Sequence, residues 1–267
     1  MPLKKPIREL ELTYPSLLGW ANTDFGKYLF ETEERIISEK YSKFPGYRCM
    51  YTGFSHNQSF LSNFDQTHAF TVKPNSDISS ENSTLISDLA ELPLPSEIID
   101  VGLIQHTLEF SLSPQAVLAE SCRVIAPGGH LVICVLNPLG PMGLTKLPLR
   151  VFTKRPHYQF HHLRIRRLVD WLTLLNFEVE EITHGAYRWP FRNVPNPSLK
   201  YSKVKKNMDM RNWENICNKF QLPFGNFYMV HAVKRVGRGI GISSRSWKPA
   251  VSKNLGASAQ ILGSKKI

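Results

Sequence analysis

Residues 98–138 read IIDVGLIQHTLEFSLSPQAVLAESCRVIAPGGHLVICVLNP, and the order of apolar and polar residues in this stretch decides the fold. The first segment, IIDVGLI, is apolar apart from Asp100, which is expected of a strand buried on both faces and ending near Gln105. A helix follows, with Ser113 as its N-cap and Pro114 at its first position. The APGG turn ends this helix, and HLVICVLNP is predicted as the next buried strand. The stretch therefore predicts one βαβ unit.

Strand-like and helix-like segments also alternate over the rest of the chain. The segment FGKYLFETEERIISEKYSKF places Leu29, Ile36 and Ile37 among charged residues at helical spacing, and it predicts a first helix. Short apolar segments bounded by Gly, Pro, Asn or Ser follow it, namely YRCMYTGF, HAFTVKPN and STLISDLAELPLP. Strands separated by helices favour a parallel sheet covered on both faces, so the predicted fold class is α/β.

Composition indicates a globular chain, because 267 residues with 42% hydrophobic and 21% charged residues can bury a substantial core. The N-terminal residues contain no apolar run of the length of a signal peptide, and no segment approaches the roughly 20 apolar residues that a transmembrane helix needs. We therefore expect a cytoplasmic protein. The four cysteines are scattered without the spacing of metal ligands, which predicts reduced structural thiols and no metal site.

The net charge of +11 is concentrated in the last third of the chain. Residues 185–267 hold 16 basic and 2 acidic residues, whereas residues 1–184 hold 17 basic and 20 acidic residues. A basic insertion at 185–218 precedes the last strand, and a tail at 238–267, rich in Gly, Ser and Lys, is predicted to be disordered. Aromatic residues alternate with Arg and Lys in the insertion, a pattern that can bind single-stranded nucleic acid. Nucleic acid is therefore one candidate partner.

Three segments resemble one protein family. DVGLIQHTLEF, the helix end CRVIAPGG and the strand HLVICVLNP look like the fourth strand, the following helix and the fifth strand of class I S-adenosylmethionine-dependent methyltransferases, type 11 (ubiquinone-biosynthesis-like) branch. Ala126 replaces the lysine of the family's RVLKPGG helix end. Downstream, HLRIRRLVDWLTLLNFEVEEI resembles the next helix and the sixth strand, with Asn176 at the usual glycine cap. NFYMVHAVKRV resembles the seventh strand, which the family inserts antiparallel beside the sixth.

The resemblance implies a Rossmann-like domain over residues 1–237, with a mostly parallel seven-stranded sheet and helices on both faces. It also implies S-adenosylmethionine as the cofactor, bound at the carboxyl ends of the first four strands. This chain departs from the family at two places, since a lone glycine replaces the Gly-x-Gly turn after strand one and Asp77 is only a displaced candidate for the acid after strand two. The cofactor-binding candidates carried over from the family are Gly53, Asp88, Leu89, Gln105 and His106. Among them, Asp88 and Leu89 match the family positions that contact the adenine.

Three of the residues that follow the strands are also candidates for the chemistry. His106 is the candidate catalytic residue, although a histidine there can equally form a hydrogen bond with a neighbouring loop. Glu109 and Asn137 lie at the same edge and are candidates for the acceptor side, although a turn at a strand end explains Asn137 as well.

Three hypotheses about function stay open. The first is methyl transfer from S-adenosylmethionine to a small-molecule acceptor. The second is a non-catalytic protein that keeps the methyltransferase fold but has lost the donor site, as the two departures suggest. The third is an RNA-directed methyltransferase or an RNA-binding protein, as the basic third suggests.

Overall fold

A computed structural model of the chain describes residues 9–54, 58–74, 84–152, 155–190, 216–217, 220 and 222–235. The α-helices in this part of the chain are α1 (Leu10–Ala21), α2 (Asp24–Tyr41), α3 (Thr107–Phe110), α4 (Pro114–Val124), α5 (Pro141–Phe152) and α6 (Ile165–Leu174). The strands are β1 (Arg48–Thr52), β2 (His68–Lys73), β3 (Thr84–Ile86), β4 (Ile99–Gln105), β5 (Ile125–Leu136), β6 (Phe177–Gly185) and β7 (Phe227–Lys234).

The seven strands form one sheet in the order β3-β2-β1-β4-β5-β7-β6. All neighbouring pairs are parallel except those of β7, which lies antiparallel between β5 and β6. The predicted α/β class and the antiparallel last strand are therefore confirmed. The strand order reverses between β1 and β4, and open α/β sheets bind ligands beside such a reversal, at the carboxyl ends of the strands.

The βαβ unit of residues 98–138 forms as predicted. Strand β4 ends at Gln105, and α4 begins after the N-cap Ser113 with Pro114 in its first turn. The APGG turn lies within the bounds of β5, where it interrupts the pairing: Ile99 pairs with Ile125, but Val101 pairs with His130. Gly128 adopts a φ of 80° in this bulge, a conformation that glycine reaches without steric cost.

Helix α1 precedes the helix that the sequence predicts as the first one. Pro15 lies inside α1. Because proline lacks a backbone N–H, its presence in the sequence predicts a break in a helix and not a helix interior. The helix forms because its apolar side chains are buried against the rest of the domain, among them Tyr14, Leu17 and Trp20. The predicted helix is α2, and its Thr23 N-cap accepts a hydrogen bond from the backbone N–H of Gly26.

The two faces of the sheet carry separate clusters of buried side chains. Alternate residues of a strand point to opposite faces, so Val101 and Leu103 pack with α1 and α2, whereas Ile104 packs with α4 and α6. All four cysteines are free and buried, as predicted. No helix among the described residues is both long and apolar enough to cross a membrane.

Candidate functional site

The parallel strands end at one edge of the sheet, and the predicted site residues follow these ends. Gly53 comes after β1, Asp88 after β3, and Asn137 after β5. Gln105 is the last residue of β4, and His106 comes directly after it. The edge is therefore the place at which this fold binds ligands, but the contacts of the individual residues decide what each can do.

His106 is completely buried between two carboxylates. Its Nδ1 lies 2.8 Å from Oε1 of Glu109, and its Nε2 lies 2.9 Å and 3.0 Å from the two carboxylate oxygens of Glu33 in helix α2. Both glutamates are also 0% exposed. The backbone of His106 adopts a φ of 59°, which directs the chain from β4 into α3. The ring of Phe30 contacts the imidazole edge to face at 5.3 Å between centroids.

Further hydrogen bonds extend this arrangement on both sides. The Gln105 side chain donates to Oε2 of Glu33 at 2.6 Å, and the Tyr51 hydroxyl donates to Oε1 of Gln105 at 2.6 Å. On the other side, Oε1 of Glu109 accepts the backbone N–H of Leu136 at 2.9 Å. A continuous buried network thus joins α2, β1, β4, α3 and β5. We call its side chains the His106 network: Glu33, Tyr51, Gln105, His106 and Glu109.

The charges of the network determine the protonation of its histidine. Burial acts to lower the pKa of His106, but the carboxylates of Glu33 and Glu109 on either side outweigh it and raise the pKa to about 10. The imidazole is therefore a cation at neutral pH, and both of its N–H groups donate to carboxylates. A protonated histidine cannot accept a proton, so this arrangement does not supply a general base. Catalysis by His106 stays a prediction.

Gly53 is packed against the side chain of Tyr51. A Cβ atom at position 53 would lie 2.3 Å from the Tyr51 hydroxyl oxygen, so glycine is needed here to leave room for Tyr51. The Tyr14 hydroxyl of α1 donates to the carbonyl of Gly53 at 3.0 Å, and the Tyr14 ring packs against Phe54 at 5.2 Å between centroids. Two tyrosine side chains therefore pack against the turn that follows β1.

Asp88 and Leu89 lie in the turn that follows β3. The Asp88 side chain is exposed, and its Oδ1 accepts the backbone N–H of Ala90 at 2.9 Å. Leu89 is buried and packs with the cluster that covers the α4 and α6 face. The carboxylate can thus reach a ligand at the edge while Leu89 fixes the turn. Asp77, the displaced candidate after β2, lies outside the described residues.

The Asn137 side chain forms hydrogen bonds with the loop that precedes β7. Its side-chain amide donates to the carbonyls of Pro223 at 2.8 Å and Gly225 at 2.9 Å, and its Oδ1 accepts the N–H of Leu139 at 3.1 Å. The residue is 3% exposed. These contacts give Asn137 the role of joining two strand ends, and its role toward an acceptor stays a prediction.

Asn226, the residue before β7, also joins neighbouring loops through its side chain. Its side-chain amide donates to the carbonyls of Ala186 and Arg188, and its Oδ1 accepts the N–H of Met142 at 2.8 Å. It is completely buried. The loops after β5, after β6 and before β7 are thus fixed to one another by two asparagines.

Sequence reasoning missed Glu33, Tyr51 and Asn226. A signal for Glu33 is present, because it follows Leu29 by four residues and Phe30 by three, which places an acid in the apolar stripe of α2. An acidic residue in a buried stripe requires a partner, and the partner here is His106. No comparable signal identifies Tyr51 or Asn226, whose partners are distant in the sequence.

Comparison with protein families gives one match, since residues 49–133 match a family described as a methyltransferase domain. A curated relative from Escherichia coli (strain K12), the uncharacterized protein YafS, is 32% identical over 162 residues. This match covers 60% of the present chain and 65% of the relative, which is slightly less than two thirds of its length.

Solved structures resemble the fold as a whole. A SAM-dependent methyltransferase of Thermotoga maritima aligns over 85% of this chain and 98% of its own, with a TM-score of 0.57 and 15% identity. A protein of Haloferax volcanii solved in complex with the Trm112 methyltransferase activator aligns over 82% and 97%, with a TM-score of 0.57 and 12% identity. The [4+2]-cyclase SpnF also aligns, over 85% and 94%, with a TM-score of 0.51 and 15% identity. One fold therefore accompanies more than one described activity, and these likenesses establish the fold alone.

Proposed function

We propose that this chain, a member of the class I methyltransferase fold family whose residues 49–133 match the methyltransferase domain, binds S-adenosylmethionine at the carboxyl edge of its sheet. We propose further that it transfers the methyl group to a small-molecule acceptor. The observation that carries the proposal is the strand order, which reverses between β1 and β4 and so creates the ligand-binding edge of this fold.

The half of the site nearest β3 fits the cofactor. The resemblance assigns the adenine contact to Asp88 and Leu89, and the exposed Asp88 carboxylate is available there for a hydrogen bond with an amino group. Leu89 in the same turn is buried in the cluster between the sheet and helices α4 and α6. The half nearest β1 fits less well, since the Tyr51 side chain lies directly beside Gly53, where the family has a glycine-rich turn.

The cofactor, when bound, supplies an electrophilic methyl group on a sulfonium. Methyl transfer then depends chiefly on the positions of donor and acceptor, and only some acceptors need a base. The His106 network joins the ends of β1, β4 and β5 with α2, so it fixes the edge on which both molecules would lie. Because both ring nitrogens of His106 face carboxylates, the proposal favours an acceptor that does not require His106 to remove a proton.

The packing around Gly53 favours a second candidate function, a non-catalytic protein that keeps the methyltransferase fold. The Tyr14 hydroxyl donates to the Gly53 carbonyl, and the Tyr51 hydroxyl, which donates to Gln105, lies against Gly53. A chain that no longer binds a donor can fill the donor site with side chains, and these contacts are of that kind. The two candidates differ in one measurable property, which is affinity for the cofactor.

The hypothesis that the chain methylates or binds RNA remains a prediction. Lys200, Lys203, Lys205 and Lys206 lie outside the described residues, as do most of the 185–218 insertion and the 238–267 tail. The division into a domain at 1–237 and a basic tail likewise remains a proposal from the sequence. Contacts with phosphate would appear as RNA affinity that falls steeply with salt.

Replacing Asp88 with alanine is expected to weaken the affinity for S-adenosylhomocysteine about tenfold, the effect of losing one charge-assisted hydrogen bond. The matched control is Glu91→Ala, because Glu91 is an exposed acid in the same turn region without an assigned cofactor contact. Titration calorimetry of both variants and the wild type measures the difference. Equal affinities of wild type and Asp88→Ala would contradict the assignment of the adenine contact.

A further inference from the structure

We propose that Glu33, His106 and Cys134 form a buried binding site for a zinc ion. The three ligands come from α2, from the residue after β4 and from β5, and they meet only in the fold. For this reason the spacing of the cysteines along the chain does not indicate a metal site. Their candidate ligand atoms, a carboxylate oxygen, Nε2 and Sγ, all lie within 4.8 Å of one another. The site shares Glu33 and His106 with the His106 network, and zinc would take the place of the proton on Nε2 of His106.

The donor set matches the chemistry of zinc. Zinc in proteins prefers thiolate, imidazole and carboxylate donors in a tetrahedral arrangement. The Glu33 carboxylate faces the other two ligands, since its oxygens lie 2.9 Å and 3.0 Å from Nε2 of His106 and one of them lies within 4.8 Å of the Cys134 sulfur. The cluster thus supplies three protein donors, and zinc sites with three protein ligands take water or another small ligand in the fourth position. A zinc ion between Glu33 and Nε2 requires their separation to grow to about 3.3 Å, a shift of a few tenths of an ångström.

The surrounding hydrogen bonds are those of a metal-bound histidine. Nδ1 of His106 donates to Glu109 at 2.8 Å, which orients the ring and directs Nε2 toward Glu33 and Cys134. Metal-ligating histidines usually donate their other N–H to a carboxylate or carbonyl in this way. Gln105 donates to the Glu33 carboxylate at 2.6 Å and so orients a second ligand. The backbone N–H of His106 donates to the carbonyl of Cys134 at 2.9 Å, which fixes the third ligand relative to the second.

The Glu109 carboxylate beside His106 has an unused acceptor atom. Oε2 of Glu109 has no hydrogen-bond partner within the described part of the chain, although the residue is 0% exposed. A buried carboxylate oxygen without a partner carries a desolvation cost, so the hydrogen bonds of the described residues do not fully satisfy this cluster.

Zinc binding at this site conserves charge. One proton leaves Nε2 of His106 and one leaves Sγ of Cys134 as bonds from both atoms to the metal form, so two positive charges leave and two enter. The site is fully enclosed, because Glu33, His106 and Cys134 are at most 1% exposed. We therefore expect the ion to be acquired while the chain folds.

The test uses the full chain produced in zinc-supplemented medium and purified without chelator. Mass spectrometry of the metal content is expected to give about one zinc per chain for the wild type, and less than a tenth of that for Cys134→Ser. The matched control is Cys49→Ser, which alters another fully buried free cysteine outside the cluster and is expected to retain the zinc. Circular dichroism establishes that each variant is folded.

A second measurement covers the case in which Cys134→Ser does not fold. The wild type, refolded from denaturant with cobalt(II), is expected to show the intense near-ultraviolet absorption of a thiolate bound to cobalt, and Cys49→Ser is expected to show it equally. Absence of zinc from the wild type together with absence of this absorption would overturn the proposal. Zinc retained by folded Cys134→Ser at the level of the wild type would overturn it as well.

Discussion

Replacing His106 with leucine is expected to lower the free energy of unfolding by about 3–5 kcal/mol, the effect of removing one partner from a buried ion pair. The reason is that Glu33 and Glu109 then remain buried on either side of an apolar side chain with no cation between them. Urea denaturation followed by circular dichroism at neutral pH measures the change.

The control for this variant is Glu39→Gln. Glu39 forms an ion pair with Arg35 at 3.4 Å on the exposed surface of α2, the helix that carries Glu33. Exposed pairs of this kind contribute at most about 1 kcal/mol, so the control is expected to unfold nearly as the wild type does. Equal unfolding free energies for His106→Leu and Glu39→Gln would mean that the buried cation contributes nothing to stability.

The stabilisation by His106 also has a defined pH dependence in the metal-free chain. Its pKa in the folded state is about 10, above the ordinary 6.5, because the two carboxylates outweigh burial. The folded state therefore binds the proton more tightly than the unfolded chain, and the contribution is fully present below about pH 6.5 and is lost as the pH rises through 10. In the presence of a chelator, the difference in unfolding free energy between wild type and His106→Leu is expected to shrink from pH 7 to pH 10. A constant difference would contradict the protonated imidazole.

Replacing Asn226 with alanine is expected to lower the free energy of unfolding by about 2–4 kcal/mol, since each buried polar group left without a partner costs about 1–3 kcal/mol. The variant removes the side-chain partners of the Arg188 carbonyl and the Met142 N–H, and one of the two donors to the Ala186 carbonyl. Thermal and urea unfolding measure the loss. Asn63→Ala is the control, because Asn63 is exposed and the change is expected to stay within about 0.5 kcal/mol. Similar stabilities of the two variants would contradict the role of Asn226.

The backbone of the fold could be predicted because its signals are local. The two apolar runs and the Ser113 and Pro114 helix start determine the βαβ unit, and Asn176 adopts the left-handed conformation expected of a helix cap, with a φ of 64°. Helix α1 could not be predicted, because it contains Pro15 and its apolar residues form a helix only through tertiary packing.

The candidate site could be predicted only in position. The ends of β1, β4 and β5 do lie at one edge, since strand polarity fixes this for any parallel sheet. The partners of each residue depend on contacts over long sequence separations, such as the 73 residues between Glu33 and His106. Family resemblance supplied the position of Gly53 but could not show that Tyr51 fills the adjacent space.

The most direct test of the proposed function is a calorimetric titration of the wild-type chain with S-adenosylhomocysteine. Binding at a single site is predicted, together with a rise in melting temperature, because a ligand at one hundred times its dissociation constant stabilises the folded state by about 2.7 kcal/mol. Absence of both heat and thermal stabilisation at millimolar ligand would contradict donor binding and would favour the second candidate function, a non-catalytic protein with the methyltransferase fold.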